Sequence, residues 1–66
     1  MNNQHKMIVR HLKSGGTLTV VDALLKYGIY ALAQRISELR KPPYNLPIEK
    51  KTLNLNGKNF AEYRLP

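Results

Sequence analysis

The sequence predicts a small α+β domain of three short helices followed by a two-stranded β-hairpin. Three observations carry that prediction. Apolar residues recur at helical spacing early in the chain and at alternating spacing after Pro47. Glycine or proline punctuates the changes of element, at Gly15-Gly16, Gly28 and Pro42-Pro43. Asn56-Gly57 lies between two alternating runs and is the dipeptide best suited to a two-residue type I′ turn.

The 66 residues are expected to form one domain, residues 1–66, near the lower limit for folding without staples. A domain of this size buries only about 60% of the surface its unfolded chain exposes. Cysteine is absent, which removes disulfides and thiolate metal sites and is compatible with the cytoplasm. The residues after Met1 are polar and no long apolar run follows. Neither a signal peptide nor a membrane span is expected, and the chain reads as a complete cytoplasmic protein.

Charge is the strongest compositional signal. Eleven Lys and Arg against four Asp and Glu give a net charge of +7. On so small a body that charge attracts polyanions by its long-range field. Nucleic acid is the favoured partner, ahead of an anionic membrane, an acidic protein or simple solubility. No helix pairs a wide apolar face with a Lys-rich one and bulky interfacial residues, which argues against a membrane surface.

The first helix is expected at about 4–13. Ile8, Val9 and Leu12 form its inward stripe, helped by His5 or Met7, and Asn2 or Asn3 supplies the cap. Gly15-Gly16 end it. Lys6, Arg10 and Lys13 recur four and three residues apart on one face, either a solvated row or a phosphate-contacting one. Residues 17–18 are long enough for a strand stub and no more. Thr19 then caps a second helix at about 20–27, with Asp22 completing a capping-box arrangement. Val20, Val21, Leu24 and Leu25 are expected to form its apolar side, and Ala23 leaves room for a neighbouring helix to cross closely.

The third helix is expected at 29–40. At about 100° per residue, Ile29, Leu32, Ala33, Ile36 and Leu39 share one stripe. Tyr30, Ala31, Gln34, Ser37 and Glu38 lie opposite, flanked by Arg35 and Arg40. Pro42 stops the helix by its missing N–H and restricts Lys41. The segment Lys41 to Pro47 reads as a stiff connection. In the hairpin, at about 48–65, a type I′ turn pairs Leu55 with Lys58, Leu53 with Phe60, Lys51 with Glu62 and Ile48 with Leu65. Leu53, Leu55 and Phe60 then share one face while Ile48, Tyr63 and Leu65 share the other. A flat hairpin cannot bury both sets against three helices, so strong twist or a bulge is expected within Glu49 to Thr52. The expected core joins Ile8, Leu12, Leu24, Leu32, Ile36 and Leu39, closed by Tyr63 or Leu65.

Helix, strand stub, helix, helix, hairpin is the order of a winged helix-turn-helix, with the stub as a possible third strand. The run TLTVVDALLKYGIYALAQRISELRK, followed by NGKNFAEYRL, resembles the small winged helix-turn-helix domains of bacteriophages and prophages. The resemblance covers Gln4 to Leu65. It is densest at Ala23-Leu24, Tyr27-Gly28, Arg35-Ile36, Leu39-Arg40 and Asn56-Gly57-Lys58. It implies a DNA-binding fold and no specific regulatory task. PPYNLP is longer and richer in proline than that family's usual link from third helix to wing.

No catalytic constellation is present, so an enzyme is not expected. Glu38, Glu49 and Glu62 lie on different elements, Ser14 and Ser37 have no evident base, and no glycine-rich phosphate loop occurs. His5 and His11 are six apart and do not align on a helix, so no metal site is expected, and no cofactor motif is found. The expected partner is double-stranded DNA. Gln34 suits a bidentate bond to adenine and Arg35 one to guanine. Tyr30, Ala31, Ser37 and Lys41 complete the helix surface, with phosphates in reach of its ends. Glu38 suits cytosine, or an ion pair with Arg35 three residues earlier. Lys50, Lys51, Asn56 and Lys58 supply the wing, where lysines also protect exposed strand edges. Useful specificity calls for a homodimer or several copies on adjacent sites. A transcriptional regulator or recombination accessory factor fits these features. The rival is a phage-encoded inhibitor that turns the same fold on a host protein. RNA is a lesser alternative, because Tyr30, Tyr44, Phe60 and Tyr63 form no evident stacking platform.

Overall fold

The computed structural model describes residues 2–66. The element order is α1 (Asn3–Lys13), β1 (Leu18–Thr19), α2 (Val20–Tyr27), α3 (Leu32–Arg40), β2 (Glu49–Leu55) and β3 (Lys58–Arg64). The strands form one antiparallel sheet in the order β1-β3-β2, which leaves β2 on an edge. The stub therefore joins the hairpin as a third strand, pairing Leu18 with Tyr63 and Thr19 with Glu62.

Local chemistry sets each boundary. The Asn2 side chain accepts the His5 N–H at 2.8 Å and caps α1. Thr19 closes β1 and starts α2 at once, its hydroxyl accepting the Asp22 N–H at 3.1 Å. Gly28 ends α2 in the left-handed conformation at φ 66°, a geometry that glycine adopts without a Cβ penalty. The N–H groups of Gly28 and Ile29 then bond the Leu24 and Ala23 carbonyls at 3.0 and 3.1 Å.

Those two bonds correct the expected start of the third helix. Gly28 to Ala31 form a turn, and α3 begins at Leu32 rather than at Ile29. Ile29 is fully buried, as its place in the apolar stripe required, but it plugs the core from the turn. Tyr30 and Ala31 accordingly sit on the turn instead of the helix face.

The core takes Ile8 and Leu12 from α1, Leu18 from β1, Ala23 from α2, Ile29, and Leu32, Ile36 and Leu39 from α3. Ile48 and Tyr63 close it from the sheet side, and Leu65 packs half-buried beside them. Leu24 does not belong to it, being 40% exposed. The expected apolar side of α2 is in fact its outer side, since Val20, Val21 and Leu25 are exposed as well. Ala23 is the reason. It is the fully buried contact point of α2, and Tyr27 one turn on is half-buried beside it. With about 100° per residue, Val21 and Leu25 fall roughly opposite Ala23. Ala33 is also exposed, at the edge of the α3 stripe rather than in the core.

The link from α3 to the sheet is folded back rather than stretched. Lys41 is extended before Pro42, and its carbonyl accepts the N–H groups of Tyr44 and Asn45 at 3.1 and 3.0 Å. The Leu46 N–H returns to the Leu39 carbonyl at 3.0 Å. Arg40 then holds the start of the sheet, donating from Nε and Nη2 to the Ile48 carbonyl at 3.0 and 2.8 Å. Its guanidinium carbon also lies 6.0 Å from the centre of the Tyr63 ring.

The hairpin register is as expected, from Glu49 opposite Arg64 to Leu55 opposite Lys58. Asn56 and Gly57 have φ of 53° and 77°, the two positive values a type I′ turn needs. Of the twist or bulge expected within Glu49 to Thr52, the bulge is absent, because the pairing runs unbroken through those residues. The conflict between the two apolar faces is settled otherwise. Ile48 and Tyr63 enter the core, whereas Leu53 and Phe60 are half-buried and Leu55 is 60% exposed on the other face. A continuous ladder satisfies every paired backbone group, at the expense of an uncovered apolar surface.

Candidate nucleic-acid interface

The outer face of α3 is made by what its core contacts leave over. Leu32, Ile36 and Leu39 turn inward, so Gln34 and Ser37 turn outward and both are exposed. Tyr30, 83% exposed in the preceding turn, and Lys41, at the helix end, extend that surface in both directions. Ala31 and Ala33 contribute exposed methyl groups beside it. The surface is polar and nearly uncharged. It offers an amide, two hydroxyls and small side chains, flanked by bases.

Arg35 and Glu38 lie on the flank nearer α1 and are not free of the protein. Glu38 Oε1 accepts the His5 Nε2–H at 2.8 Å and lies 3.2 Å from Arg35 Nε. The His5 side chain is 10% exposed, Arg35 21% and Glu38 37%, so the group is half-sunk between α1 and α3. His5 also packs against Tyr44, with ring centroids 5.9 Å apart. The expected intrahelical pair is therefore present, with His5 as an added partner that spacing alone did not reveal. Arg35 Nε is buried and has no hydrogen-bond partner of good geometry. That leaves the carboxylate as the charge that compensates it.

A second histidine holds the first two helices together. His11 Nε2 faces the Thr17 carbonyl at 2.7 Å, so that nitrogen carries the proton. Its Nδ1 lies 2.8 Å from the Tyr27 hydroxyl. Tyr27 is thus tied into the structure and packs half-buried against the core. Among the described residues no group of three His, Cys, Asp or Glu could hold a metal. None of their helices is long and apolar enough to cross a membrane.

Around α3 the charge is uneven. Two of the four acids are taken up internally, Glu38 as above and Glu49 by Arg64 at 3.2 Å. Lys41, Lys50, Lys51 and Lys58 are exposed, and the ion pairs among the described residues engage none of them. Strand alternation sends Lys51 and Lys58 to one face of the hairpin and Lys50 to the other. Asn56 lies at the tip. Lys6, Arg10 and Lys13 are exposed along α1, as their spacing implied. On the sheet side, the role of Arg40 was not legible in the sequence. It looked like a flank of the polar face and serves as the strut from α3 to β2.

A family model described as a winged helix-turn-helix domain matches residues 3–65, nearly the whole chain. No curated protein and no solved structure gives a significant match.

Proposed function

Since the chain belongs to the winged helix-turn-helix domain family, we propose that it binds double-stranded DNA, with α3 in the major groove and the hairpin as a wing beside it. The observation that carries this reading is the exposed surface of Tyr30, Gln34, Ser37 and Lys41 on a body of net charge +7. Gln34 reads adenine by two hydrogen bonds, and Arg35 presents its outer guanidinium nitrogens to guanine while Glu38 holds its inner one. Tyr30, Ala31, Ser37 and Lys41 meet bases and phosphates at the ends of the helix. Lys50, Lys51, Asn56 and Lys58 meet the backbone from the wing. The protein acts in the cytoplasm as a small regulator of transcription or an accessory factor in recombination, of the type found in phages and prophages.

A mobility-shift titration against random duplex, followed by selection from a random-sequence pool, tests the reading. The expected result is binding at low salt and enrichment of a short motif. A folded wild-type protein that binds no duplex at low salt would overturn it and favour a protein partner for the same face.

A further inference from the structure

Resting on the reading that α3 enters the major groove, we propose that His5 is a positioning residue for base recognition. It lies on α1 and acts through Glu38, which sets the side chain of Arg35 for guanine.

The three side chains form a chain from one helix to the other. The His5 ring faces a carboxylate, so its Nε2 carries the proton and donates to Glu38 Oε1 at 2.8 Å. Arg35 Nε is buried 3.2 Å from the same oxygen. The two outer guanidinium nitrogens are neither buried nor bonded within the protein, and they remain for guanine O6 and N7. His5 is itself held in place. Its backbone N–H is bonded to the Asn2 cap at 2.8 Å, and its ring packs on Tyr44 in the link after α3. The position of the carboxylate is therefore fixed from outside α3.

Two effects on recognition follow. An i,i+3 ion pair on a helix surface is weak, and by itself it leaves an arginine free to change rotamer. With Glu38 anchored by His5, Arg35 is ordered before DNA arrives, which removes an entropic cost of binding. The same bond draws Glu38 toward α1. Released from His5, the carboxylate would be free to take the outer guanidinium nitrogens in a bidentate pair, the edge that guanine needs. It would also stand closer to the phosphates.

Selection from a random-sequence pool, then titration of every single-base change in the selected site, tests the role. Wild type, Arg35→Ala, His5→Leu and His5→Gln are compared at a temperature where circular dichroism shows each one folded. Arg35→Ala identifies the base pair that Arg35 reads, as the one where the preference for guanine disappears. There the wild type should prefer guanine by about tenfold or more. His5→Leu keeps an apolar contact for Tyr44 but removes the donor, and the preference should fall to about threefold or less. His5→Gln restores an N–H and should recover most of it. A defect of folding alone weakens all duplexes alike and leaves this ratio unchanged. In the free wild type the Arg35 Nε–H should exchange with water more slowly than that of the exposed Arg10, and His5→Leu should remove the difference. An undiminished guanine preference in His5→Leu overturns the proposal and leaves the DNA reading intact. So does a His5→Gln variant that loses the preference as fully as His5→Leu. Equal exchange at Arg35 and Arg10 in the wild type also overturns it, and that measurement needs no variant to fold. A wild type that selects no guanine, or one whose preferences survive Arg35→Ala, overturns the base contact of Arg35 and the role of His5 with it.

Discussion

Removing lysines from the wing and removing Gln34 should damage DNA binding in different ways, and the difference can be calculated. Lys50, Lys51 and Lys58 are exposed and outside the ion pairs of the described residues, so each can reach a phosphate. Each neutralised phosphate releases condensed counterions, and log K falls with log salt by roughly 0.9 per contact. Between 50 and 200 mM salt one such contact corresponds to about a 3.5-fold change, and three together to about 40-fold. A Lys50→Ala, Lys51→Ala, Lys58→Ala variant should therefore show a salt slope shallower by about 2.7, with equal losses on selected and random duplex. Gln34→Ala removes no charge, so its slope should match wild type. It should lose about 1–3 kcal/mol on the selected site and much less on random DNA. Titrations of both variants on both duplexes at the two salt concentrations measure all of this. An unchanged slope in the triple-lysine variant would refute wing contact with phosphate. Equal losses on both duplexes for Gln34→Ala would refute base reading by α3 and leave a nonspecific binder.

The other predictions concern the scaffold. Ile36 is 1% exposed and Leu24 40% exposed. In urea denaturation Ile36→Ala should therefore cost about 2–5 kcal/mol, with Ile36→Val at about 0.5–1.5, and Leu24→Ala should cost about 1 kcal/mol. Equal costs for the two alanine variants would contradict the outward turn of α2. Glu38→Ala should cost about 1–2 kcal/mol, because it strands Arg35 Nε and the His5 ring, while Glu38→Gln keeps an acceptor and should cost less. A Glu38→Ala variant as stable as wild type would show that the three side chains do not act together. Gly57→Val places a β-branched residue at φ 77° with open space around its Cβ. The cost is then purely backbone, about 1–2 kcal/mol, and should appear as loss of hairpin amide protection with the helices intact.

Much of this molecule is written in short-range chemistry and was legible from the residues alone. Thr19 as a cap, Gly28 as a stop and Asn56-Gly57 as a turn each depend on a few neighbouring backbone atoms. The hairpin register followed from the turn, because a two-residue turn leaves one way to pair the strands. The stripe of Leu32, Ile36 and Leu39 followed from helical period and also identified Gln34 and Ser37 as the outward residues. Periodicity does not say which side of a short helix faces inward when both sides are apolar. For α2 it favoured Val20, Val21, Leu24 and Leu25, and the closer approach permitted by Ala23 decided otherwise. The same limit applied to the hairpin, whose two apolar faces competed for one core. Ile48 and Tyr63 won, through the Arg40 hold on the Ile48 carbonyl and the pairing of Leu18 with Tyr63. His5 reaching Glu38 across 33 residues likewise belongs to no local pattern. Such choices depend on which surfaces meet once the elements pack, and a core this small has room for one set of apolar side chains and leaves the other outside.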